Sequence, residues 1–228
     1  MALVLQHLNA LQALRGQPMA DPALAASLSA VKLWQQQRLA RTYADLGADP
    51  RYAPAVDFFL NHLYGDKDFS RRDAELRRIV PTMVRILPRQ TVETVDLALE
   101  LDLLAEGLDQ DMARNLSGSA PITEATYCAA FRAVGAIERR NRQVELVREA
   151  GGRLDRVVKK PLVAAALRML RKPAHMAGLG DLQAFLEAGF AAFKHMGEAD
   201  HFLATIARRE TTIMQRIFAG ERDPFAVN

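Results

Sequence analysis

Apolar residues recur at helical spacing along the whole of this chain. Leu3, Leu8, Leu11 and Leu14 lie near one face of a first helix, which Gly16 and Pro18 are expected to stop. Asp21 followed by Pro22 is a start signal, an N-cap with proline in the first turn. The helix it opens carries Leu24, Leu28, Val31, Leu39, Tyr43 and Leu46 on one broad face and ends near Gly47. The polar run Gln35 to Arg38, beside Trp34, is expected to be a solvated flank. After Pro50 and Pro54 another helix runs from Ala55 to Tyr64. Gly65 and a charged loop (Asp66, Lys67, Asp68) end it. Ser70, with Asp73 three residues on, has the form of a capping box. It opens a helix bearing Leu76, Ile79, Val80, Met83 and Ile86, with a kink expected at Pro81 and an end at Pro88.

From Arg89 a long acidic helix follows, with Leu97, Leu101, Leu104 and Leu108 as its seam and Glu93, Asp96 and Glu100 as a carboxylate stripe. Gly107 and Gly118 bracket an expected break. It would separate sub-bundles 1–116 and 119–228 within a single all-α domain of residues 1–228. Pro121 begins the longest helix, expected to reach Ala150, with Tyr127, Phe131, Val134, Ile137, Val144 and Val147 on its apolar face and Gly151 and Gly152 at its end. Val157 to Leu170 is amphipathic with a basic edge and an interruption at Pro161. Lys172, Pro173, Gly178 and Gly180 mark a loop, and Asp181 caps the next helix. There Leu182, Phe185, Leu186, Phe190 and Phe193 form the buried side, and Gly189 lets another helix approach closely. Gly197 precedes a last helix with Phe202, Ile206, Ile213 and Ile217, and the tail with Pro224 and Phe225 folds back or frays. No segment alternates with period two. The fold class is therefore all-α, an antiparallel multi-helix bundle of eight to ten helices with no sheet.

Composition narrows the setting. A chain of 228 residues buries roughly 70–75% of its unfolded surface without needing a metal or disulfide. The single cysteine, Cys128, makes no internal disulfide, which points to a reducing compartment, and its Ala-rich surroundings predict a buried inert thiol. No apolar run approaches membrane-spanning length, and the N-terminus reads as an amphipathic helix rather than a signal peptide. A cytoplasmic protein with no membrane contact is the expectation. Net charge is only +3, but it is unevenly placed. Between Arg139 and Lys172 the basic residues meet only Glu145, Glu149 and Asp155.

The densest punctuation is FFLNHLYGDKDFSRRD, Phe58 to Asp73, a helix-turn-helix corner. It resembles the signature of FFLEELY motif proteins, an uncharacterised family of helical bacterial proteins. The resemblance extends through RLARTYADLGADPRYAPAVDFFL and RIVPTMVRILP to GFAAFKHMG and RIFAGERDPF, most of the chain. It implies a helical fold and brings no activity with it. Asn61 and His62 stand where the family's motif has its acidic pair, so the part that is kept is aromatic and leucine-rich. That implies a packing role for Phe58, Phe59, Leu63, Tyr64 and Ser70.

Three constellations carry candidate chemistry. His195, Glu198 and His201 include the glutamate-x-x-histidine spacing that sets two metal ligands on one helix face, with Glu93, Asp96 and Glu100 as partners from another helix. A di-iron site takes two such motifs and this chain has one, and acidic residues after Gly197 equally suit a helix N-terminus. Arg139, Arg140, Arg142, Arg153, Arg156, Lys159 and Lys160, continuing to Arg168, Arg171 and Lys172, could track phosphates of a nucleic acid or another anion. No aromatic interleaves them, and the acidic stripe is the alternative partner for them. His62 could face a pocket beside Tyr64. Asp66 and Asp68 do not fit a calcium loop, because Arg71 and Arg77 fall where its glycine and glutamate belong. Gly178 and Gly180 begin a dinucleotide-like pattern but follow a helix and lack the third glycine.

The leading expectation is a non-enzymatic helical binding protein with a protein partner or self-association. The alternatives are a metal- or cofactor-dependent enzyme in the helical core and binding of nucleic acid or an anionic ligand. Neither the cofactor nor the partner is specified by the sequence.

Overall fold

The computed structural model describes residues 2–64, 70–86, 89–116 and 121–227. Among them are eleven α-helices, one π turn and no strand. The all-α reading holds, with somewhat more helices than expected because two long helices are split.

α1 (Ala2–Ala20) runs through both Gly16 and Pro18 instead of stopping there. Pro18 has no N–H for the Leu14 carbonyl, and Gln110 Nε2, from much later in the chain, donates to that carbonyl instead, at 2.8 Å. α2 (Pro22–Thr42) starts as the sequence indicates, Asp21 accepting hydrogen bonds from the backbone of Ala23 and Leu24. Short helices α3 (Ala44–Ala48) and α4 (Ala53–Phe58) lead into the π turn Phe59–Leu63. α5 (Ser70–Ile86) continues through Pro81. The expected loop at Asp66 to Asp68, the Ser70 side chain of the capping box, and the Pro88 and Gly118 boundaries lie outside what is described.

α6 (Arg89–Leu116) is unbroken at Gly107, where α1 packs with Leu14 Cδ2 3.7 Å from the position a Cβ would take. A glycine costs an exposed helix interior about 1 kcal/mol, and tertiary packing on both sides outweighs that here. The next break comes earlier than expected. α7 (Glu124–Val134) and α8 (Ile137–Val158) are divided at Gly135 and Ala136, both at positive φ, whereas Gly151 and Gly152 lie inside α8. Gly151 serves packing: a Cβ there would come within 2.5 Å of the Leu203 side chain. α9 (Pro161–Met176) begins at the expected proline but continues past Lys172 and Pro173, so the expected loop starts only at Ala177. α10 (Gly180–Met196) is preceded by Leu179 at its cap, with Asp181 in its first turn, and α11 (Asp200–Ala219) closes the chain.

α6 is the central strut, packed against α1, α2, α5, α7 and α8. Its buried surface is therefore wider than the predicted leucine seam, and it includes Leu99, Met112 and Leu116 as well as Leu108. The first core cluster joins Leu28 and Val31 of α2 and Met112 of α6 to Tyr127 and Phe131 of α7 and Ile213 of α11. Contacts thus cross the expected 116/119 boundary. Phe225 of the tail folds back onto Trp34 and Tyr127, with ring centroids 5.7 and 6.2 Å away. A second cluster gathers Tyr43, Tyr52, Phe193, Met196 and Phe202, and a third gathers Leu8, Leu11, Val80 and Leu99. Contacts at His7–Asp96 and Arg15–Glu106 show α1 parallel to α6. No helix among the described residues is long and apolar enough to cross a membrane.

Candidate functional site

The corner at Phe58 to Tyr64 is built around the π turn. Phe58 is buried, its ring 5.5 Å from that of Phe185, and a Cβ on Gly189 would come within 2.8 Å of it. The close approach expected at Gly189 is thus made by Phe58. Phe59 faces Phe193 and Phe202. Leu63, expected to be buried, is exposed, while Tyr64 turns inward. The π turn accounts for the outward Leu63. Tyr64 N–H donates to Phe59 O five residues back, and the extra residue shifts everything after it by one position around the helix.

Tyr64 leads into a buried polar seam. Its hydroxyl donates to the Asp109 carboxylate at 3.1–3.2 Å. Burial pushes the Asp109 carboxyl up to about 7, and nearby Glu106 adds to this, against the opposing pull of Lys32 and hydrogen bonds from Tyr64 and Gln35. Burial also acts to raise Glu106, but Lys32 at 2.8 Å, Gln110 and Arg15 outweigh it and hold that carboxyl below its usual value. Arg15 bridges Asp73, Asp102 and Glu106. On the far side of α2, Arg38 and the Tyr43 hydroxyl share Glu210, and Gln35 Nε2 donates to Tyr127 Oη at 3.1 Å. Gln35 and Arg38 are therefore core residues, not the solvated flank expected of them. The missed signal was spacing: Asp102, Glu106 and Asp109 stand at i, i+4 and i+7, one face of α6.

The predicted metal ligands are not assembled as the sequence suggested. Gly197 at φ 82° separates α10 from α11, so Glu198 lies in the connection and does not share a helix face with His201. His195 Nε2 is 3.0 Å from the Pro50 carbonyl, and the His201 ring lies beside Tyr52. Of the expected partner carboxylates, Glu93 and Glu100 pair with arginines and Asp96 with His7. Among the described residues no three histidine, cysteine or carboxylate side chains cluster as a metal centre. His195 and His62 do line one cleft of about 320 Å³ together with Asp57, beside Phe58. Cys128 is buried, and burial raises its thiol pKa.

Much of the basic stretch is neutralised. Arg139 pairs with Asp111, Arg142 chelates Glu100 at 2.9 and 3.1 Å, and Arg153 meets Glu93, so α8 is clamped antiparallel to α6. Arg140 is buried, stacked 3.5 Å over the Phe131 ring with Nε donating to Gly135 O, which holds the α7–α8 corner. Lys159 pairs with Asp155, and Arg171 with Glu187. Arg156, Lys160, Arg168 and Lys172 are exposed and have no ion-pair partner among the described residues.

Those last cations belong to or flank α9, and α9 is unlike every other long helix here. It packs chiefly on α10 and α8 and buries no residue. Leu162, Met169 and Met176 are 83, 77 and 89% exposed, one under another at seven-residue intervals, with Leu170 beside them. The stripe is about 21 Å long at the helical rise. Its other exposed half carries Arg168, Arg171, Lys172 and His175, and residues 157–180 contain no carboxylate. At the N-terminal end of α9, Lys159, Lys160 and Lys194 line a cleft of about 550 Å³ with Pro161, Ala164 and Glu198. An apolar stripe with a basic margin can dock something amphipathic.

A family model described as a domain of unknown function, DUF8198, matches residues 14–224. Neither the curated proteins nor the solved structures contain a match to the chain.

Proposed function

The chain belongs to the DUF8198 family, and from that premise we propose that it is a helical binding protein whose contact surface is the outward face of α9. The observation that carries this reading is the line of Leu162, Met169 and Met176, three large apolar side chains that contribute nothing to any core. Contiguous exposed apolar surface rimmed by charge is a mark of an interaction site. The remainder of the chain is a single all-α domain that holds α9 in place, because the cores join residues from both halves. In that domain the corner resembling the FFLEELY signature is an anchor: Phe58 is buried against Phe185 and Gly189, Phe59 packs on the second core, and Tyr64 ties the corner to α6. A cytoplasmic setting agrees with the single reduced cysteine.

Affinity capture from cells that produce the protein tests this, with wild type compared with L162S/M169S/M176S and all retained components, protein or lipid, identified. Components lost in the triple variant are expected. Identical retention by a folded triple variant would remove α9 as the contact surface.

A further inference from the structure

Charge and shape together say what kind of partner α9 takes. Positions 162, 166, 169, 173 and 176 form the alternating three- and four-residue spacing of a helix seam, but Ala166 and Pro173 occupy two of the five. A partner helix interlocking with this seam would find two of its five knobs missing. No aromatic side chain stands on the stripe to serve as the anchor usual at protein hot spots. A second copy brought up by a two-fold axis would offer the same basic margin and no carboxylate to meet it. A lipid surface has neither requirement. It needs flexible apolar side chains to enter the acyl boundary and cations to meet phosphates beside them, and Leu and Met with Lys and Arg supply both.

The position of the lysine-lined cleft adds to this. It opens at the end of the stripe where Leu162 stands, so a site for an anionic headgroup adjoins a surface for hydrocarbon. Asp155 is paired with Lys159, on which Glu198 and Asp200 also act, which leaves Lys160 and Lys194 as the lysines of the lining without a paired carboxylate among the described residues. Arg168 and Lys172 continue the positive margin along the helix.

We propose that α9 and this cleft dock on an anionic phospholipid surface, with headgroup phosphates at Lys160 and Lys194 and acyl chains against Leu162, Met169 and Met176. This rests on the reading of α9 as the contact face and names its partner. The absence of membrane contact expected from the sequence rested on spanning length, which a helix lying in the headgroup layer does not require.

The test is co-sedimentation of the full-length protein with phosphatidylcholine vesicles, with and without phosphatidylglycerol. Binding is expected only to the anionic vesicles and is expected to weaken as salt rises. R168Q and K172Q should each lower affinity about fivefold, near the value of one juxtamembrane charge. L162S/M169S/M176S should abolish binding while its circular dichroism melt stays that of wild type. Absence of binding to anionic vesicles at low salt overturns the lipid assignment. So does binding that the triple variant retains. If vesicles are ignored while a protein is captured through the same three side chains, the lipid assignment falls and α9 stands as the contact face. If the triple variant loses neither, both fall.

Discussion

α6 and α9 are opposite solutions to placing charge on a helix. α6 runs through the middle of the molecule and turns Glu106, Asp109 and Gln110 inward, where each meets a partner from another helix. α9 lies on the outside, buries nothing, and leaves Arg168 and Lys172 beside uncovered leucine and methionine. Burying an ion is costly unless a counter-charge and hydrogen bonds accompany it, so the α6 charges constrain how the helices assemble. Nothing in folding calls for the α9 arrangement. The difference separates side chains that hold the fold from side chains available to a partner.

Substitutions at the two ends of this comparison should differ sharply. The largest loss is expected for Phe58→Ala at the corner that carries Tyr64 to α6, about 3–5 kcal/mol in denaturant unfolding, since its ring fills the space that Gly189 leaves open. Lys32→Met comes next, at about 3 kcal/mol, because Glu106 stays buried with its closest cation removed. The single tryptophan, Trp34, stacked 4.0 Å from Tyr127, reports both by fluorescence.

A smaller effect concerns pH. Asp109 titrates near 7 when folded and near 3.8 when unfolded, so the folded state holds the extra proton between those values. Its stabilising contribution is complete below the unfolded value and is lost as pH rises through the folded one. Wild type should therefore lose stability relative to D109N across this window, and parallel melting curves for the two would contradict the buried position of the carboxyl. The smallest change belongs to α9. Each of Leu162→Ser, Met169→Ser and Met176→Ser should alter stability by less than about 0.5 kcal/mol. A loss of several kcal/mol at any of them would show that the stripe is covered in solution and erase the contrast with α6.

Legibility followed the range of the interaction. Asp21 and Pro22 are readable because an N-cap acts on backbone groups two and three residues away. Gly189 was readable as a close approach, though not which ring would fill it. Gln35 and Arg38 were misread because a polar run looks solvated until Tyr127 and Glu210 arrive from far along the chain. Gly151 and Gly135 look alike as letters. One is filled against Leu203 inside a helix and the other turns the chain at positive φ. The metal trio failed locally, because Gly197 placed Glu198 outside the helix the spacing assumed. The α9 surface was half legible: its basic edge shows in composition, but the exposure of its leucine and methionines does not.

By itself the order of residues determined that this chain is helical, where several helices begin, and that its positive charge gathers after Arg139, because periodicity, capping and composition are properties of neighbouring residues. Which charges were neutralised and which stayed free, that Leu63 was left exposed beside the inward Tyr64, and that the Met169 face met no other helix were settled only by tertiary packing. The physical reason is that burial and ion pairing are relations between distant segments, and they acquire a sign only once the segments touch.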